Sequence, residues 1–148
     1  MELKRRNVKN KVLQYLITKA SSKGKKQQAE KDVLKALRTI KRSKKNICLT
    51  LIPFLDKVLE NIEPQVVVIS KKIGKNKYKI PIYASKRKEL VLGISWLIHN
   101  SCGRKRGARY EGLVQGLCDT WEGIGLSIQE KKKYHQLGLD NRAYIRYL

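Results

Sequence analysis

The chain has 148 residues, with 34 lysines and arginines, 12 aspartates and glutamates, and a formal net charge of +22. This length suits one domain with a single ordinary core, and such a charge opposes compaction unless an anionic partner or its counterions are present. The longest nearly uncharged apolar runs, Ile47 to Leu55 and Leu90 to Ile98, are too short to span a bilayer. The composition therefore excludes a membrane span and predicts a nucleic-acid or anionic-membrane partner.

The first part of the chain carries three amphipathic helical patterns. The first apolar stripe runs from Val8 to Ala20, and the second runs from Ala29 to Ile40. A basic loop at 41–46 follows the second pattern. The third stripe runs from Leu51 to Ile62, and Pro64 ends it. We therefore predict three helices before the middle of the chain.

The segment from Gln65 to Ala84 has the composition of a β-hairpin, with turn residues at 74–76. A loop with an even number of residues places four apolar side chains on one face, so that the base of the ribbon rests on a core. These side chains are Val67, Ile69, Ile80 and Ile82. Five lysines crowd the tip, and no acidic residue lies between Glu63 and Glu89. We expect the tip to meet an anionic partner; the alternative is that its lysines are only solvated.

Three more helical patterns follow the hairpin. One runs from Leu90 to Ile98 with Ser85 as its cap, and the next runs from Tyr110 to Trp121. A capping box at 127–130 opens the last helix, which carries basic and aromatic residues to its end. The predicted fold is mainly α: residues 1–148 form a single helical bundle of about six helices. A two-stranded β-hairpin at 65–84 protrudes between helices three and four.

The sequence does not indicate a catalytic or metal site. His99 and Cys102 would share a helical face, but no acidic or amide side chain is placed to orient the histidine. A structural pair at a helix end is therefore the preferred interpretation. No Cys-x-x-Cys or His-x-x-x-His spacing occurs, and an odd number of widely spaced cysteines fits reduced thiols in an intracellular protein. We expect no enzymatic activity, no metal and no cofactor.

Several short segments follow one another in the order and nearly the spacing of a known family. They are Gly24 to Glu30, Leu59 to Val68, Ser70 to Gly74, Tyr78 to Ile82, Trp96 and Leu97, His135, Asn141 to Tyr144, and Tyr147. Together they extend over most of the chain, and with them it resembles the bacterial-type small-subunit ribosomal protein seven family. The resemblance implies a helical bundle with a protruding hairpin, in agreement with the periodicity.

The resemblance also implies a function. Members of that family are structural constituents of the small ribosomal subunit, bind the 3′ major domain of its rRNA and help to organise the head. Their hairpin lies near the exit-site tRNA and the path of the mRNA. The partners implied are small-subunit rRNA, exit-site tRNA, mRNA and the neighbouring small-subunit proteins nine and eleven, with no membrane. The alternative is a basic DNA-binding or architectural protein with a β-ribbon arm.

Charge and resemblance together assign candidate binding residues. The candidates for rRNA binding are Lys4, Arg5, Arg6, Lys23, Lys25, Lys26, Lys44, Lys45, Lys86, Arg87, Lys88, Arg104, Lys105, Arg106 and Arg109. The hairpin candidates near tRNA and mRNA are Lys71, Lys72, Gly74, Lys75, Lys77, Tyr78 and Lys79. Because each basic loop lies at a helix end, we expect these loops to converge on one face of the bundle. Stacking on unpaired bases is open to Tyr15, Tyr78, Tyr110, Tyr144 and Tyr147, although core packing is favoured for each.

The chain departs from the family at several positions. Gly74-Lys75 replaces a Gly-Gly pair at the hairpin tip, and Ser95 precedes Trp96 where the family has arginine. Only Met1 to Arg6 corresponds to the family's long basic N-terminal arm. These departures, with 24 lysines against 10 arginines, favour a protein made inside an organelle. We expect a mitochondrial ribosome in the matrix, with a plastid ribosome as the second choice.

Overall fold

The computed structural model describes residues 12–21, 23–43, 51–102 and 109–148. Within these ranges the chain forms six α-helices, a short 3-10 helix and one two-stranded antiparallel sheet. The elements are α1 (12–20), α2 (Lys26–Ser43), α3 (Leu51–Ile62), β1 (Val66–Ile73), β2 (Asn76–Tyr83), α4 (Lys86–Cys102), α5 (Arg109–Glu122), α6 (Leu126–Asp140) and the 3-10 helix (Arg142–Tyr147). This order confirms the predicted helical fold with a hairpin between the third and fourth helices.

The core lies between the apolar faces of the first five helices. Its most enclosed side chains are Ile40, Phe54, Ile62, Ile94 and Leu97, each no more than 2% exposed. Each comes from a stripe repeating at three to four residues, which turns one side of its helix toward the bundle. The described part of the chain has no helix long and apolar enough to cross a membrane.

The buried face of α3 differs from the stripe that the sequence predicts, which consists of Leu51, Leu55, Val58, Leu59 and Ile62. Phe54, Val58 and Ile62 are buried, whereas Leu55 and Leu59 are only partly buried. Phe54 explains why the buried face of α3 is turned about the helix axis relative to the prediction, because its ring stacks on that of Trp121 of α5 with centroids 6.3 Å apart. A large aromatic ring with a partner in the core outweighs the aliphatic side chains in setting which face of the helix turns inward.

Two predicted boundaries are wrong. Helix α2 continues to Ser43, so Lys41 and Arg42 belong to its last turn and not to a loop. Helix α6 begins at Leu126 with Gly125 as N-cap and without a side-chain cap, so residues 127–130 do not form a capping box. The Gly125 carbonyl accepts hydrogen bonds from the backbone N–H groups of Ile128 and Gln129, at 3.0 and 3.3 Å, and so starts the helix.

Helices α4 and α5 pack closely through small residues. A Cβ atom placed on Gly112 would collide with the Ser101 carbonyl oxygen, and one placed on Gly116 would collide with the Ser101 hydroxyl. Ser101 is itself only 7% exposed. The two glycines therefore allow the helix that follows the hairpin to be held tightly against the bundle.

Candidate nucleic-acid interface

The two strands pair from Val66 opposite Tyr83 to Ile73 opposite Asn76, which leaves the two-residue loop Gly74-Lys75. Gly74 has φ +60°, and it is the one hairpin residue with a positive φ. A left-handed residue at the first loop position is typical of the type II′ turn, which glycine adopts without steric cost. The predicted even-numbered loop is confirmed, but Asn76 belongs to β2 and not to the turn.

One face of the ribbon, here called the inner face, is contacted by the C-terminal segment, while at the base α6 also packs on Val66 and Pro81 of the opposite face. By strand alternation and register it consists of Val67, Ile69, Lys71, Tyr78, Ile80 and Ile82. Ile80 is fully buried and Val67 is 8% exposed, as predicted for the base. Ile69 is 37% exposed, so its predicted burial is wrong. The physical reason is that the 3-10 helix packs along β2, which leaves this part of β1 less covered.

The C-terminal segment, residues 142–148, covers the inner face towards the tip. The Tyr78 ring centroid lies 5.1 Å from that of Tyr144 and 5.3 Å from that of Tyr147. The Lys71 ammonium donates hydrogen bonds to the carbonyl oxygens of Tyr147 and Leu148, at 2.8 and 2.9 Å. Lys71 and Tyr78 were predicted to lie near tRNA and mRNA. In the structure both side chains bind the protein itself and hold the ribbon.

The opposite or outer face of the ribbon carries uncompensated positive charge. Lys72, Lys77 and Lys79 share this face, and Lys72 lies directly opposite Lys77. Like charges paired across strands destabilise a hairpin. Within the described residues the side chains of these three exposed lysines, and that of Lys75 in the turn, make no hydrogen bond or ion pair. An anionic partner would relieve this repulsion.

Two helix N-termini carry further basic residues. Lys26 opens α2, which has no acidic residue in its first turn, and the basic residues 86–88 open α4, whose first turn also holds Glu89. The positive end of a helix dipole disfavours cations, so these basic side chains do not stabilise the helices. An anion bound at these ends would be attracted both by the helix dipole and by the basic side chains. Before α2, Lys23 and Gly24 have φ values of +52° and +78°, so a tight turn of left-handed residues carries the first basic cluster.

The position of the remaining candidates is only partly described. Lys4, Arg5, Arg6, Lys44, Lys45, Arg104, Lys105 and Arg106 lie outside the described residues. Arg109 is exposed at the start of α5. The 18 residues of α2 place about 27 Å between the basic clusters at its two ends. Convergence of the basic loops therefore remains a prediction, and it requires an extended surface.

A polar cluster joins α3 to α6, and the sequence analysis did not identify it. The Lys131 ammonium donates to the carbonyl oxygens of Glu60 and Asn61, at 3.2 and 3.1 Å, and so caps the end of α3. The Asn61 amide donates to the Thr120 carbonyl at 3.0 Å. Lys131 lies in a run of three lysines, so no local pattern distinguishes it from Lys132, which is exposed.

Burial dominates the titration of this cluster. It raises the pKa of the Glu63 carboxyl, an effect that Glu89 reinforces and Lys131 opposes. It lowers the pKa of the Lys131 ammonium, which Glu63 partly restores. Burial and then the charge of Lys131 lower the pKa of His135, whose Nε2 atom is buried without a hydrogen-bond partner. The cluster therefore favours a neutral histidine in the folded protein.

The described residues contain no group of three side chains suited to hold a metal ion. His99 is exposed on α4.

A basic helical domain whose ribbon exposes lysines on one face is typical of proteins that bind nucleic acid. Residues 2–142 match the family described as ribosomal protein S7p/S5e, and the chain belongs to this family.

Relatives from bacteria extend over most of the chain. It is 30% identical to small ribosomal subunit protein uS7 of Rubrobacter xylanophilus over 136 residues, which cover 92% of this chain and 85% of that protein. It is 31% identical to uS7 of Dictyoglomus turgidum, with the same two coverages. It is also 31% identical to uS7 of Coprothermobacter proteolyticus, over 87% of this chain and 81% of that protein. Family membership makes the chain a structural ribosomal protein and not an enzyme, and favours this interpretation over the DNA-binding alternative.

Proposed function

We propose that the chain is a structural constituent of the small ribosomal subunit, binds the 3′ major domain of its rRNA and helps to organise the head. The family match carries this proposal. The basic helix N-termini of α2 and α4 support it, because lysines there lie beside the positive end of a helix dipole, and such ends bind phosphate. Recognition by these groups reads the shape and backbone of folded RNA more than its sequence.

The hairpin has a separate role in this proposal. Its outer face, with Lys72, Lys77 and Lys79, lies towards the exit-site tRNA and the leaving mRNA. Its inner face is bound to the C-terminal segment through Lys71 and Tyr78. The internal contacts fix the direction of the ribbon, and the outer lysines neutralise phosphate charge. Small-subunit proteins nine and eleven are the proposed protein neighbours.

The first experiment measures binding of the chain to a 3′ major domain rRNA fragment at increasing salt, with duplex DNA of equal length as competitor. Replacing Lys25, Lys26, Lys86 and Lys88 with glutamine should lower the slope of log affinity against log salt by about 3. The matched control replaces four lysines outside the proposed site, namely Lys19, Lys31, Lys132 and Lys133, and should leave the slope nearly unchanged. Equal losses in both variants, or preference for the DNA, would contradict the proposal.

The second experiment tests the hairpin in assembled subunits. A variant with Lys72, Lys77 and Lys79 replaced by glutamine should co-sediment with small subunits as the wild type does, because these side chains make no internal contact. Its subunits should bind exit-site tRNA more weakly, with a reduced salt dependence. Loss of assembly would instead make the outer face an rRNA anchor.

We place the ribosome in the mitochondrion, with the plastid as the second choice. The excess of lysine over arginine supports an organellar gene, and identities near 30% to the bacterial relatives fit a diverged lineage. Fractionation of the source cells followed by immunodetection in purified organelles tests this. Recovery of the protein only in cytoplasmic ribosomes would refute it.

A further inference from the structure

A shallow apolar cavity lies where the base of the hairpin meets α6 and the 3-10 helix. Its volume is about 320 Å³, at the lower end of the range for sites that hold small ligands. The walls include Val66, Pro81, Tyr83, Leu139, Arg142 and Ile145. Neither the core contacts nor the hairpin contacts described above explain this cavity.

The rim of the cavity exposes large apolar side chains. Tyr83 is 90% exposed, Leu139 is 63% exposed and Ile145 is 47% exposed. The ring of Tyr83 has no aromatic partner in the described part of the chain, whereas the other hairpin tyrosine, Tyr78, contacts two rings. Contiguous exposed apolar side chains around a concave surface are typical of a binding site.

The charges around the cavity indicate what binds there. Tyr83 lies on the outer face of β2 in line with Lys79 and Lys77, with the buried Pro81 between Tyr83 and Lys79, and successive side chains on one face of a strand are about 7 Å apart. Arg142 lies in the opposite wall. An apolar site at the end of a row of free cations, with an arginine beside it, is complementary to a ligand that joins a flat ring to a chain of negative charges.

We propose that this cavity binds one unpaired base of single-stranded RNA, stacked on Tyr83, while the adjoining phosphates lie along Lys79 and Lys77. The inference rests on the proposed function, since it assumes that the outer face of the hairpin binds RNA. Single-stranded nucleic acid is bound by this combination of a cationic track and an aromatic platform. An apolar protein segment fits less well, because it would desolvate Arg142 without supplying an anion.

The test measures affinity of the full chain for oligouridylate and for a charge-matched abasic ribose-phosphate chain of the same length. Tyr83→Ala should weaken oligouridylate binding about 5- to 150-fold, and should leave binding of the abasic chain unchanged. Tyr83→Trp should retain the affinity. The salt slope should be the same for Tyr83→Ala and wild type, whereas Lys79→Gln should lower it by about 0.7.

Ile124→Ala is the matched control, because Ile124 is 76% exposed in the loop before α6. It should affect neither ligand. Thermal unfolding should be nearly the same for all variants, since the side chains replaced are exposed. Equal oligouridylate affinity of Tyr83→Ala and wild type, or equal losses on both ligands, would overturn the proposal.

A crosslink from a photoreactive residue at position 83 to a protein in assembled subunits, and not to RNA, would also overturn the proposal. The proposed function fails separately, if the wild-type chain does not bind the 3′ major domain fragment at all.

Discussion

The two isoleucines that face each other in the hairpin should contribute very differently to stability. Ile69 and Ile80 are direct cross-strand partners on the inner face, yet Ile80 is fully buried and Ile69 is 37% exposed. Replacing isoleucine with alanine removes three carbons, and each is worth roughly 0.8 kcal/mol when fully buried. With the cavity left behind, Ile80→Ala should cost about 2–5 kcal/mol. Ile69→Ala opens no enclosed cavity and should cost about 1–1.5 kcal/mol.

Urea unfolding followed by circular dichroism measures both values, and each variant serves as the control for the other. For a domain of this size, the midpoint of thermal unfolding should fall by roughly 5–15 °C for Ile80→Ala and by less than about 5 °C for Ile69→Ala. A smaller slope of the free energy of unfolding against urea concentration in Ile80→Ala would show that the hairpin unfolds before the bundle. Equal destabilisation by the two substitutions would refute the reasoning, because it would mean that burial on the inner face does not determine stability.

Three further predictions concern the bundle. Gly112→Ala should destabilise the protein by about 1–3 kcal/mol despite the higher helix propensity of alanine, because its Cβ would collide with the Ser101 carbonyl. Thermal unfolding measures this, and Gly93→Ala is the control, because a Cβ there would lie 3.4 Å from its nearest neighbours, which are atoms of Ile62. Lys131→Met should cost about 1 kcal/mol in urea unfolding, because the end of α3 loses two hydrogen bonds, and Lys132→Met should cost almost nothing. The pKa of His135 is lower in the folded state than in the unfolded state, so the unfolded state takes up the proton first as pH falls. The stability contributed by neutral His135 is therefore present above about pH 6.5 and is lost as pH falls below that value. His135→Gln should flatten this decline in stability measured from pH 7.5 to 6, and an unchanged decline would exclude His135 as its source.

Local periodicity was sufficient for most of the fold. The helical stripes predicted from Ala29 to Ile40 and from Leu90 to Ile98 became buried faces because each repeats over more than two helical turns. The assignment of apolar hairpin residues to one face followed from the turn, since an even loop fixes which residues share a face. These features depend on residues close together in the chain.

Long-range contacts account for the differences. Helix α3 turned towards Trp121 through Phe54, a partner 67 residues away. The C-terminal segment was predicted to continue the last helix, but α6 ends at Asp140 and the 3-10 helix packs on β2 instead. Tyr144 and Tyr147 gain an aromatic partner in Tyr78 by this change of direction. A short stretch of sequence that contains only one of the two contacting residues does not contain the information needed to predict such a contact.

The division between the two faces of the ribbon explains how a highly charged hairpin can be held in one position. A ribbon of two strands is marginal alone, and the lysine pair across its outer face weakens it further. Contacts away from the outer lysines therefore have to supply the stability. On the inner face Ile80 is buried and Lys71 donates to two carbonyls. At the base of the outer face Gly138 of α6 approaches so closely that a Cβ there would lie 3.1 Å from Val66. None of these contacts uses an outer lysine. The outer lysines therefore remain available for an anion, and the direction in which they point is set before binding by the bundle and the C-terminal segment.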